Sequence, residues 1–244
     1  MLEELLARLP DDAPVREVNV GVHWTLVCSR HCGLASTLIA DKPHGHARVR
    51  GVGRLREQSA HQLAEYARSD DPLEASIGIA AINSLLDIDA RGAVQLNAGD
   101  FLIEKGRGRK VALVGHFPFI PALRQAAAVL WVLEQHPAEG ESPADQADVL
   151  IPQADVVAIT GTALINHTLD HLLGLRRKDA LAMVLGPSTP LSPVLFEHGA
   201  AVLSGARVVD PEAAQRTISQ GAILPQVEGL ELLTIARDPG VLRP

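Results

Sequence analysis

The chain has 244 residues, 47% of them hydrophobic, with a formal net charge of −7 and a pI near 5.8. That apolar content supplies a buried core for one large domain or two modest ones. An acidic chain lacks the positive field that nucleic acid or an anionic membrane surface requires, so neither is expected as a partner.

The amino-terminal MLEELLARLPDD reads as an acidic amphipathic helix, without the basic start and apolar centre of an export signal. No apolar stretch approaches a membrane-spanning length, and a cytoplasmic location is the expectation. Apolar residues then occupy every even position from Val18 to Cys28, which predicts a long half-buried strand or a tight hairpin in an antiparallel sheet. CGLASTL supplies a further strand. On one continuous strand Cys28 and Cys32 would stand about 13 Å apart, out of bridging range, so free thiols are expected. DKPHGHARVRGVG reads as an irregular exposed loop, and its Arg48, Arg50, Arg54 and Arg56 either meet an anionic ligand or form a solvated face. Two helices follow, over 59–68 and 72–86, the second opened by Asp71 as cap and Pro72 in the first turn, and apolar around much of its circumference. Strands before helices, without alternation, predict a small α+β unit ending near residue 92. The basic, glycine-rich EKGRGRK marks the division into residues 1–105 and 106–244.

The second part has a different grammar. VALVG, AAVLWVLEQ, ADVVAITGT, ALAMVLGPS, AAVLSGARVVD and LELLTIA are short apolar segments, and helix-like stretches at 163–173 and 211–220 lie between them. Continuous apolar strands alternating with helices predict a mainly parallel, Rossmann-like sheet covered on both faces. The connection PAEGESPADQADVLIPQ reads as exposed.

In such a sheet ligands gather at the carboxyl ends of the strands. Gly115 is followed by His116, Phe117, Pro118, Phe119, Ile120 and Pro121, so the second and third glycines of a dinucleotide fingerprint are missing. Prolines also remove amide donors, and standard NAD is not expected. Glu134 closes the second strand, where classical Rossmann domains keep an acid for ribose hydroxyls. Thr160, Gly161 and Thr162 form a strand-to-helix turn whose amides suit an anionic group. His167 and His171 fall four apart on one helical face, a spacing able to chelate a metal, but no H-E-x-x-H glutamate stands between them and a surface placement of His171 is the favoured reading. Three prolines stiffen GPSTPLSP, either to present Ser188, Thr189 and Ser192 for recognition or to end a strand and cap a helix through Ser192. Cys28, His31, Cys32, His44 and His46 are metal-ligand types whose spacing matches no standard zinc site. No Ser-His-Asp order or nucleophile elbow is present.

Taken in order, VGHFPFIP, GTALINHT, GPSTPLSPVLFEHG and LSGARVVD resemble a heavy-metal chelation family of uncharacterised prokaryotic proteins. HCGLAST and ASIGIAAINSLL carry the resemblance into the first half. It implies an α/β fold in which a small domain similar to the enolase amino-terminal fold precedes a Rossmann-like domain. It also implies a ligand cleft between them lined by Gly115, His116, Phe117, Asn166, Thr168, Gly186, Ser188, Thr189, Ser204, Gly205 and Asp210. Hydroxyls, one asparagine, His116 and Asp210 suit hydrogen bonding to an organic molecule better than enclosure of a soft metal. The expected ligand is a small molecule or metal complex, with a transition metal held partly by a metal-chelating small molecule, and with Cys28, Cys32 and His116 as the candidate protein ligands. Binding in metal homeostasis is the leading expectation, and a homo-oligomer is compatible with it. The alternative is a lyase or transferase acting on a nucleotide-like or aromatic substrate, with His116 as general acid/base.

Overall fold

The computed structural model describes residues 1–40, 49–88 and 92–242. The first unit begins with α1 (Leu2–Ala7) and a three-stranded antiparallel sheet of β1 (Glu17–Val20), β2 (Trp24–Cys28) and β3 (Cys32–Ser36). The period-two run is therefore a tight hairpin, closed where the Gly21 N–H donates to Trp24 O at 2.9 Å. A second hairpin follows at once, and its register sets Cys28 opposite Cys32. The free-thiol expectation fails here: the two cysteines form a disulfide, with Cα atoms 4.0 Å apart. Spacing measured along one strand does not apply when the chain turns back between the two residues.

Helices α2 (Ala60–Ala64) and α3 (Pro72–Leu85) begin at their sequence signals. Ser59 and Gln62 form a capping box, and Asp71 accepts the Leu73 N–H at 2.9 Å ahead of Pro72. Eleven of the fourteen α3 residues are buried. Two glycines permit this depth. A Cβ on Gly33 would stand 2.2 Å from Ala80 O, and one on Gly78 would stand 2.0 Å from Ala67 N, so only glycine lets β3 and the turn after α2 close onto α3. Among the arginines, Arg50 serves the fold: its N–H and guanidinium bind the buried Glu74 carboxylate, and it lies 4.5 Å over the Tyr66 ring. Burial pushes the Glu74 carboxyl up, but the Arg50 N–H, the Ser69 hydroxyl and the Arg50 guanidinium outweigh it and hold the group below its ordinary range. Arg56 faces Glu17 at 3.8 Å, and Arg48, His44 and His46 lie outside the described residues.

The second unit contains α4 (Ala98–Gly106), β4 (Lys110–Val114), α5 (Ile120–Ala126), β5 (Val129–Glu134), β6 (Ser142–Pro143), α6 (Ala147–Leu150), β7 (Val156–Thr160), α7 (Leu169–Leu175), β8 (Leu181–Leu185), α8 (Pro193–Glu197), β9 (Val202–Val208), α9 (Pro211–Ser219) and β10 (Leu230–Ala236). Its seven strands lie in the order β10-β9-β8-β7-β4-β5-β6, parallel except for β10 at the edge. Phe101 and Leu102 of α4 pack beneath this sheet, and Val94 bridges to Thr234. The chain thus joins the second sheet well before residue 106. The expected helix at 163–173 is broken: a single 3-10 turn ends at Leu164, His167 takes a left-handed φ of 62°, and α7 starts only at Leu169. His167 and His171 therefore do not share a helix face. His167 bonds Ala67 O at 2.9 Å, and His171 faces Asp148 at 3.2 Å.

One hydrophobic cluster runs through both units, joining Leu5, Leu63, Ile79 and Ile82 to Ile159, Leu173, Val184 and Leu195. An ionic clamp reinforces the junction. Arg8 binds Glu197 at 2.7 Å, while His198 bonds Asp170 at 2.9 Å and, through its other ring nitrogen, Glu4. The His198 hydrogen bond holds the Glu4 carboxyl below its ordinary range. Burial pushes Asp170 up, but His198 and the chain amino terminus outweigh it.

Carboxyls depressed in the folded state contribute stability above their unfolded titration and lose it as pH falls through the folded value. Melting temperature is therefore expected to drop as pH is lowered below about 4, and Glu4→Gln to show a smaller drop than wild type. Gly78→Ala is expected to cost about 3 kcal/mol by urea denaturation, because the new Cβ meets backbone. Cys28→Ser, or a reductant added to wild type, is expected to cost about 2 kcal/mol through the freed short loop.

Candidate functional site

The order of the second sheet reverses between β4 and β7, so the connections leaving these two strands diverge and open a crevice at their carboxyl ends. Glycines bring the surrounding loops together. Gly115 has a φ of 110°, and a Cβ there would lie 3.0 Å from Thr160 Cβ; a Cβ on Gly161 would lie 2.6 Å from Thr189 Oγ1. Phe117 stacks on Phe119 with centroids 5.1 Å apart, and Phe119 in turn packs on Gly99 of α4. The result is a cavity of about 860 Å³.

Gly115, His116 and Phe117 line it after β4, Glu134 after β5, Thr160, Gly161, Thr162, Asn166 and Thr168 after β7, and Gly186 and Ser188 after β8. Four residues inferred from the sequence lie elsewhere. Thr189 is buried behind Gly161, and its backbone oxygen fills the space beside Gly205. Ser204 bonds Thr234, its register partner on the neighbouring strand. Asp210 caps α9 by accepting the Ala213 N–H at 3.1 Å. Ser204 and Asp210 thus serve the sheet and the next helix instead of the cavity. GPSTPLSP divides its work: Gly186, Pro187 and Ser188 face the cavity, while Ser192 accepts the Val194 N–H and caps α8.

The first unit contributes Trp24, Ser36 and Leu38 to the wall, and Ile223, Leu224 and Pro225 close another side. Ser36 is held in place because its N–H donates to Ser188 Oγ at 2.8 Å. No sequence pattern marks these residues as site residues, because only docking of the β2–β3 hairpin brings them there. Gln135 and His136 also face the cavity, and a smaller hollow of about 590 Å³ shares Leu38, Gln135, His136 and Asn166 with it.

The wall is mainly apolar with a few polar groups at fixed positions. The Thr160 and Thr162 hydroxyls are 3.0 Å apart, and the Thr168 hydroxyl donates to Asn166 Oδ1 at 2.7 Å. His116 Nδ1 lies 2.8 Å from Glu141 Oε1, and Glu141 Oε2 accepts the Ala138 N–H at 2.9 Å. That backbone N–H, with His116 and Arg124 adding to it, holds the Glu141 carboxyl below its ordinary range. A cavity of this make-up suits a small organic molecule oriented by hydrogen bonds better than a bare ion. It does not present a ready set of metal ligands. Cys28 and Cys32 are spent in their disulfide, and among the described residues no three His, Cys, Asp or Glu side chains are grouped to hold an ion. No described helix is long and apolar enough to cross a membrane.

Two family models match the chain, both described as "putative heavy-metal chelation": DUF4213 over residues 2–86 and DUF364 over residues 97–236. A crystal structure of a DUF364 family protein of unknown function from Desulfitobacterium hafniense is 29% identical, with a TM-score of 0.86 and 97% of each chain covered. Another from Pyrococcus horikoshii, 19% identical, superposes with a TM-score of 0.79 over 96% of this chain and 97% of that one, a likeness of fold. An uncharacterised protein of Methanocaldococcus jannaschii is 26% identical, across 86% of this chain and 85% of its own length.

Proposed function

Because the chain belongs to the DUF364 heavy-metal chelation family, we propose that it binds a small organic molecule, or the metal complex of one, in the cleft between its two units. The observation that carries this reading is the convergence of four strand-end loops and the β2–β3 hairpin on one largely apolar cavity. Apolar walls supply the attraction by removing surface from water, and the few fixed hydroxyls and His116 choose among ligands by hydrogen bonding. In this reading the metal arrives already held by an organic chelator, since the cysteine thiols are paired and His116 has one ring nitrogen committed to Glu141. Binding takes precedence over turnover. A lyase or transferase reaction on a nucleotide-like or aromatic molecule is the second reading, favoured by the His116–Glu141 contact.

Native mass spectrometry of protein purified from its own cells is expected to find a co-purified organic molecule, with or without metal. Ala144→Trp, placing bulk on the cavity wall, is expected to lose that molecule while keeping the fold. Adding cell extract to the stripped wild type is expected to raise its unfolding free energy by about 2.7 kcal/mol at a ligand concentration 100-fold above Kd. A wild-type protein that carries no molecule and whose melting temperature no extract moves refutes the proposal.

A further inference from the structure

His116 and Glu141 are joined by more than proximity. Glu141 lies 25 residues along the chain, in the turn that leads into β6, and its side chain is only 6% exposed. One carboxylate oxygen accepts the Ala138 N–H, and the Glu141 N–H donates back to Ala138 O at 3.0 Å. Arg124 of α5 donates to Gly140 O at 3.3 Å, tying the turn down from another side. The carboxylate is thus fixed before it meets the histidine. An ionised carboxylate only accepts, so the hydrogen bond assigns the proton of the neutral imidazole to Nδ1 and leaves a lone pair on Nε2. His116 lines the cavity with a side chain 67% exposed, and among the described residues no protein group bonds its Nε2. The Ala138 N–H already closes the turn, so the His116 bond is not needed for that purpose.

We propose that His116 is a general base, oriented by Glu141, that takes the proton from a weakly acidic O–H or N–H of the ligand held in the cleft. This rests on the cleft being a small-molecule site. In the step, the ligand X–H bond breaks, its electron pair stays on X, and the proton joins Nε2. Nδ1–H remains bonded to Glu141, whose charge steadies the imidazolium; no oxidant or second reactant enters. The walls set the ligand class: an apolar, ring-bearing molecule with a phenol-, enol- or imide-like group, lying against Trp24 and Phe117. Glu134, His136, Asp148 and His171 are the other titratable groups on the cavity wall, and Arg124 stands behind Glu141. Glu141 is a positioning residue, since it acts only through His116.

The test uses the full chain labelled with ¹⁵N-histidine and 4-nitrophenol as probe, at a pH where most of the free phenol is un-ionised. Wild type is expected to show the Nδ1–H tautomer of His116 and to bind the probe as the coloured phenolate. Glu141→Gln has one acceptor oxygen for two N–H donors, and the ratio of ionised to neutral bound probe is expected to fall about tenfold. His116→Ala, at an exposed position, is expected to fold normally and to bind the probe un-ionised. An Nε2–H tautomer in wild type, equal ionisation in wild type and Glu141→Gln, or no uptake of phenolate by wild type overturns the assignment. If wild type fails these tests yet takes up a molecule from cell extract, the proton-transfer role alone falls. If it takes up nothing, the cleft reading falls with it.

Discussion

The structure depends on one hydrophobic core that crosses the boundary between the two units. A parallel sheet with reversed strand order leaves a crevice at its carboxyl edge, and by itself that crevice has only one wall. Here α3 buries nearly its whole surface between the antiparallel sheet, the turn after α2 and the second unit, so the β2–β3 hairpin cannot drift from its place over the crevice. The close approaches at Gly33 and Gly78 set that depth, and the Ser36–Ser188 hydrogen bond registers the hairpin on the loop after β8.

Given this frame, the character of the site follows from what each loop can spare. Residues needed by the sheet or by helix starts, such as Ser192, Ser204 and Asp210, are occupied locally. The side chains left over include aromatic rings, short hydroxyls, the amides of Gln135 and Asn166, and three histidines, of which His116 is backed by the Glu141 carboxylate. Together they make an apolar chamber with sparse, rigid polar contacts, suited to an organic ligand. A soft metal ion would need several unpaired thiolate or imidazole donors in one place.

The ionic clamp at the amino-terminal helix acts on the same junction from the far side. Glu4, Arg8, Asp170, Glu197 and His198 are partly exposed, so each pair contributes little alone in water. Their value lies in being a network that joins α1 to α7 and α8, and in making the junction sensitive to acid.

The sequence by itself determined most of the strands, the amino-terminal helices and the class of fold. Alternating apolar residues marked the first sheet, continuous apolar runs the second, and Asp71-Pro72 a helix start, because hydrophobic period and capping chemistry act over a few residues. The glycine-bearing ends of β4, β7 and β8 pointed to part of the cavity lining for the same local reason. Tertiary structure alone decided the rest. The pairing of Cys28 with Cys32 needed a hairpin that their spacing does not reveal, and the parting of His167 from His171 needed a left-handed residue inside a helical pattern. Trp24, Ser36 and Leu38 came to line the cavity through packing between units, and Glu141 came to meet His116 through a turn that reads from sequence as ordinary exposed connection. Contacts between residues distant along the chain are chosen by the burial and close packing of whole surfaces, and no local pattern encodes which surface will meet which.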